Sequence, residues 1–178
     1  MEQKPYHHGN LHNELIEIGI QLINEEGIDN FSLRKVARIA GVSPTACYNH
    51  FKNKEDLIAS MKEYVSNRFA DELKQVADEV KGKTRMTALG VAYVSFFRTN
   101  PHYLSFLYEN EDYNITLTEN DFVGDHKAFC IFREVAIEET NKWGLTKEMQ
   151  LKCLISMWVM VQGIASMANM KGFHYDGD

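Results

Sequence analysis

The sequence predicts an all-α chain in two parts: a three-helix N-terminal head built around a helix-turn-helix, residues 1–53, and a longer helical body, residues 54–178. Three observations predict it. Apolar residues recur at helical spacing from Leu11 onward. Gly41-Val42-Ser43 leaves only a tight turn between two short helical segments. The last long segment carries two apolar stripes where a surface helix needs one.

The elements follow in order. Leu11, Leu15, Ile18 and Leu22 repeat at i, i+4, i+7 and i+11, and Gly27 stands where a C′ residue ends the helix. Ser32 is placed to cap a second helix running through Leu33, Val36, Ala37 and Ala40 to Gly41. Ser43 is the candidate cap of a third, with Pro44 at its first position and Thr45 to Phe51 making two turns. On it Cys47 and Phe51 face inward, which leaves Pro44, Thr45, Tyr48 and Asn49 outside. Asn53 caps a fourth helix, with Glu55 and Asp56 favouring the positive end of its dipole.

That fourth helix is expected from Lys54 to about Val80, with Leu57, Ile58, Met61, Tyr64, Val65, Phe69, Leu73 and Val76 inward and a break at Gly82. An aromatic helix follows (Leu89, Ala92, Tyr93, Phe96, Phe97), ended by Asn100-Pro101, and then one carrying Tyr103, Leu104, Leu107 and Tyr108. Residues 109–125 are acidic and weakly periodic and read as a loop. Two long helices close the chain, about 125–143 and 147–170, separated by Gly144. On the last, one stripe is Leu154, Trp158, Val161, Ala165 and Ala168, and the other is Met157, Met160, Ile164 and Met167. Burial on both sides is met most simply by a second copy, and the first stripe is taken as the homodimer interface.

Bulk properties set bounds. The segment Cys153 to Ala168 is interrupted by Ser156, Gln162 and Gly163, too short and too polar for a membrane span, and the start has no apolar h-region. Three widely spaced cysteines (47, 130 and 153) fit reduced thiols in a cytoplasmic protein. The net charge of −6 lies entirely beyond residue 54, because residues 1–54 balance six Lys/Arg against six acids. Four of the seven histidines (His7, His8, His12, His50) lie in that balanced part. The asymmetry fits a small head that reads DNA on an acidic body that faces away from it. An exposed tyrosine on the third helix fits a phenol reaching a phosphate.

Other chemistries fare poorly. There is no nucleophile elbow, phosphate-cradling glycine loop or zincin motif, so catalysis is not expected and no cofactor is implied. His7, His8 and His12 have poor spacing for a metal, and the acids of 109–125 lack the spacing of a calcium loop. Met61, Tyr93, Phe96, Phe97, Tyr103, Leu107 and Tyr108 are either plain core or the lining of an effector pocket.

The stretches Tyr6-His7-His8-Gly9-Asn10-Leu11, Phe31-Ser32-Leu33-Arg34-Lys35-Val36-Ala37, Gly41-Val42-Ser43-Pro44 and Tyr48-Asn49-His50-Phe51-Lys52-Asn53-Lys54-Glu55-Asp56-Leu57 resemble the TetR family of repressors, continuously from about residue 6 to 60. The resemblance implies a DNA-binding head, a variable helical ligand domain and dimerisation through the last two long helices. Tyr48 and His50 match the family's phosphate contacts from the recognition helix, and Lys54 the lysine that opens the next helix and also grips phosphate. Ser32 matches a hydroxyl that contacts the DNA backbone. Pro44, Thr45 and Asn49 occupy base-facing positions, and Arg34 one that reads a base in some members. Cys47 stands where leucine or isoleucine is usual, and Gln162 where many members have histidine. Tyr6 and His7 fall in an arm that in several relatives follows the minor groove. The expectation is a cytoplasmic homodimeric repressor that leaves a palindromic operator when an unknown small-molecule effector enters its body. The alternative is a regulator whose body binds a protein partner.

Overall fold

A computed structural model describes residues 11–109, 115–118, 122–124, 126–170 and 172–174. The arm residues Tyr6, His7 and His8 lie outside them. The helices are α1 (Leu11–Glu26), α2 (Leu33–Ile39), α3 (Pro44–Tyr48), α4 (Lys54–Glu79), α5 (Arg85–Thr99), α6 (Pro101–Glu109), α7 (Lys127–Lys142) and α8 (Lys147–Ala168). The stretch expected to be loop contains a short antiparallel pair, β1 (Ile115–Leu117) and β2 (Phe122–Gly124), in which Thr116 stands opposite Val123. Ile-Thr-Leu and Phe-Val-Gly suit strands, but three residues are too few to display a period of two. The chain folds as two compact units that divide inside α4, after Tyr64.

In the first unit, the caps foreseen from the sequence form. The Ser32 hydroxyl accepts from the Lys35 amide (3.3 Å), Ser43 from Ala46 (3.2 Å) and Asn53 from Asp56 (2.8 Å). The turn between α2 and α3 is a Schellman closure. The Val42 amide donates to the Ala37 carbonyl (3.0 Å), the Gly41 amide donates to Arg38 (3.2 Å), and Gly41 takes a φ of +70°. Only a residue without Cβ holds that φ cheaply, so this glycine sets the angle at which α3 leaves. Leu15, Ile16 and Ile20 of α1, Val36 and Ala37 of α2, Cys47 and Phe51 around α3, and Leu57 and Met61 of α4 close one core. The fit is tight: a Cβ on Gly19 would lie 2.5 Å from the Met61 sulfur.

The second unit packs α8 against α5 and α7. Trp158 is its hub, edge-on to Tyr93, Phe129 and Phe132 at ring-centroid distances of 5.4, 5.0 and 5.5 Å. Phe69 of α4 extends the cluster to Phe96 and Phe97. A buried charge pins three segments together. The Arg85 guanidinium donates to the Ala77 carbonyl (3.0 Å), Glu138 (2.6 Å) and Glu139 (3.5 Å), and Lys142 reaches Glu139 at 2.8 Å. Its hydrogen bond to Arg85, then that to Lys142, holds the Glu138 carboxyl below its ordinary range; Glu139 is held down first by its bond to Lys142.

α8 also corrects one expectation. The sequence segment judged too short for a membrane begins at Cys153, but the helix begins at Lys147, where the Thr146 hydroxyl caps it. At 22 residues, with mean hydropathy reaching 1.5, it is long and apolar enough to cross a membrane. Its composition comes from carrying apolar side chains on both faces. Leu154, Trp158, Val161 and Ala165 are buried, while Val159, Met160, Ile164 and Met167 stay exposed.

Candidate nucleic-acid interface

The recognition helix is short, five residues from Pro44 to Tyr48, and its inner side is secured by Cys47, which is fully buried. The chain then turns, with the amides of His50 and Phe51 both donating to the Cys47 carbonyl at 3.0 Å, and Phe51 plugs the core at 1 % exposure. With Cys47 and Phe51 inside, Pro44, Thr45, Tyr48, Asn49 and His50 are all exposed, Tyr48 at 48 %. Burial lifts the Cys47 thiol above its ordinary range, which suits packing rather than reactivity. Arg34, near the start of α2, is exposed as well. The flanking Lys35 is paired with Glu26 at 2.6 Å.

Two of the expected contacts already serve the fold. Ser32 is half-buried and its oxygen is the α2 cap, although its O–H can still donate. The Lys54 ammonium donates to the Ile28 carbonyl at 2.6 Å and lies over the Phe31 ring, 5.8 Å from its centroid. It has two further N–H donors, and its position is fixed by the loop it ties down. One neighbour was not visible in the sequence. The exposed His12 ring of α1 lies against Phe51, with centroids 4.8 Å apart, and 5.9 Å from His50. The separation of 38 residues between the two histidines hid it.

Two further sets of expected residues are largely buried. Met61 belongs to the first unit and is buried in its core beside Gly19. Tyr93, Phe96, Phe97, Tyr103 and Leu107 are buried and packed on one another, with Tyr108 half-buried at the edge. Their polar ends are used internally. The Tyr93 hydroxyl meets Tyr108 at 2.6 Å and donates to Gln162, and Arg68 donates to the Tyr103 hydroxyl at 2.8 Å. A groove of about 600 Å³ lies elsewhere, between α5 (Gly90, Val91, Val94, Arg98) and α8 (Met157, Met160, Val161, Ile164). The stripe expected to form the dimer interface is largely buried within the chain. Leu154, Trp158, Val161 and Ala165 are consumed inside the chain, and of that set Ala168 alone is exposed.

A family model described as bacterial regulatory proteins, tetR family, matches residues 15–61. A helix-turn-helix-type transcriptional regulator of Staphylococcus aureus is 29% identical over 82 residues, 46% of this chain and 44% of the relative. The chain thus aligns with less than half the length of that relative. Among solved structures, a TetR-family transcriptional regulator from Haemophilus influenzae superposes with a TM-score of 0.63 at 21% identity, over 92% of this chain and 88% of that one. The fatty acid degradation regulator FadR from Bacillus halodurans gives 0.61 at 18% identity, over 98% and 100%. Those two likenesses carry the fold across the body, while the head also carries the sequence. The N-terminal head, residues 15–61, is thus similar in sequence to the tetR family of bacterial regulatory proteins, and the body is similar in fold to solved structures that include a TetR-family regulator.

Proposed function

We propose that this protein is a cytoplasmic transcriptional repressor that binds a palindromic operator as a homodimer and releases it when a small molecule enters the body. The observation that carries the DNA-binding part is the exposed row Pro44, Thr45, Tyr48, Asn49 and His50, held over a buried Cys47 and Phe51 behind the Gly41 turn. A helix so mounted offers base-facing groups from its first turn and phosphate-facing groups from its end. Thr45 and Asn49 are assigned to bases, with Pro44 beside them and Arg34 from α2. Tyr48, His50, Lys54 and Ser32 are assigned to phosphates.

The dimer face is reassigned to Val159, Met160, Ile164 and Met167, four large apolar residues that the C-terminal half of α8 leaves exposed. A contiguous exposed apolar stripe on a soluble helix calls for a cover, and a second α8 related by a two-fold axis supplies one of matching chemistry. The effector is assigned to the groove between α5 and α8, whose walls are apolar and whose α5 side offers Thr87, Ser95 and Arg98. Met160 and Ile164 would touch both effector and partner. A ligand that favours one packing of these side chains then shifts the subunit arrangement.

Binding of duplex DNA by single variants tests the assignment. Thr45→Ala and Asn49→Ala are expected to relax sequence preference at one position each, costing about 1–3 kcal/mol on the preferred site. Tyr48→Phe is expected to weaken binding to all sequences alike. Variants that bind every sequence as the wild type does would overturn the placement of α3 on DNA.

A further inference from the structure

We infer that His12 and His50 together form one site for a backbone phosphate of DNA, and that filling it takes up a proton. The inference rests on the DNA-binding reading above and adds to it a residue from α1 and a dependence on pH.

The two imidazoles come from distant parts of the chain, yet both are exposed and their ring centroids lie 5.9 Å apart with planes at 69°. Neither position is accidental. His12 lies 4.8 Å from Phe51, and Phe51 is locked into the core. His50 is held by its own amide, bonded to Cys47, and lies 6.2 Å from the same phenyl ring. One buried aromatic residue therefore sets the spacing of both histidines. It also offers a ring against which a positive imidazolium is favourable.

The hydrogen bonding of His12 supplies the proton requirement. Its Nδ1 lies 3.3 Å from the Asn13 side-chain oxygen, an atom that only accepts, so this contact is a hydrogen bond only when Nδ1 carries a hydrogen. In the neutral ring Nε2 then has a lone pair and no hydrogen. A phosphodiester has acceptor oxygens alone, so Nε2 donates to it while Nδ1 keeps its bond to Asn13 only in the doubly protonated imidazolium. Histidine is the side chain for which such a change falls within the ordinary range of cellular pH.

Along the chain, Glu14 follows His12, and Lys52, Lys54, Glu55 and Asp56 follow His50. The Asp56 carboxylate accepts from the Lys52 amide at 2.8 Å, and Lys54 is held by Ile28. Among the described residues no ion pair or hydrogen bond joins any of them to either ring. An incoming phosphate meets two imidazoles with no carboxylate already bound to them.

The test is calorimetric titration of the full chain with a short mixed-sequence DNA duplex, in two buffers of different ionisation enthalpy, over about pH 6 to 8. The wild type should take up protons on binding and weaken by up to about tenfold per pH unit for each proton taken up. His12→Gln and His50→Gln keep an amide donor that needs no proton, so each should bind with less uptake and a flatter pH profile. Circular dichroism on both variants confirms that the head is folded. Binding without proton uptake, or uptake unchanged in His12→Gln, overturns this inference while leaving DNA binding intact. No binding at any pH contradicts the DNA-binding reading and this inference with it.

Discussion

Ile164→Glu separates the two faces of α8, and its size can be worked from exposure. Val159, Met160, Ile164 and Met167 keep 62, 57, 46 and 44 % of their surface. Full burial of such a side chain is worth roughly 1.5–3 kcal/mol, so covering the remaining half gains about 1 kcal/mol each. A two-fold axis counts every position twice, giving about 8 kcal/mol for the stripe against an association cost of roughly 4–15 kcal/mol. The stripe is thus a large share of what a stable dimer needs. Ile164→Ala, which loses about 2 kcal/mol over the two subunits, should weaken the dimer about thirtyfold. Ile164→Glu also brings two carboxylates out of water beside the same axis, at a further cost of several kcal/mol, and should give folded monomers. Val161→Glu behaves differently, because Val161 is 4 % exposed inside the monomer and a charge there should unfold the body. Sedimentation velocity with circular dichroism reads both. An Ile164→Glu protein that stays as dimeric as the wild type would refute the reasoning, as would a Val161→Glu protein that is folded and monomeric.

Three further outcomes are expected. Gly41→Ala forces a side chain onto a φ of +70° and should cost about 1–2 kcal/mol of head stability, measured by urea denaturation, with DNA binding weakened as the α2–α3 angle relaxes. Trp158→Ala removes the ring that Tyr93, Phe129 and Phe132 surround and should cost about 3–5 kcal/mol, read as a lowered Tm. Glu139→Gln bears on pH. Because the folded state holds this carboxyl below its ordinary range, its contribution is present above the unfolded carboxylate pKa of about 4.3 and fades as pH falls through the folded value. The variant should therefore melt below the wild type at neutral pH, and the gap should close in acid; a gap independent of pH contradicts the ion-pair account.

Much of the head was legible because its signals are local. Ser32, Ser43 and Asn53 cap where their spacing to the next apolar residue says, and Gly41 sits where the chain needs a positive φ. Lys54 shows the limit: the family pattern gives its place, but only the fold shows its ammonium engaged by Ile28, 26 residues away. In the body, local periodicity ran out. Both stripes of α8 are apolar, and hydrophobicity alone does not say which one the monomer buries. The three large rings around Trp158 decide that, and they come from α5 and α7. The aromatic residues of α5 and α6 have the same spacing whether they line a cavity or fill it; here they fill it, with Phe69 among them.

The central claim is that α3 reads a two-fold operator, and selection of bound duplexes from a randomised pool at about physiological salt tests it most directly. The account predicts a palindromic consensus whose half-site centres lie about one helical turn, 34–36 Å, apart. A folded, dimeric protein that enriches no sequence, or enriches a single half-site without symmetry, would contradict it.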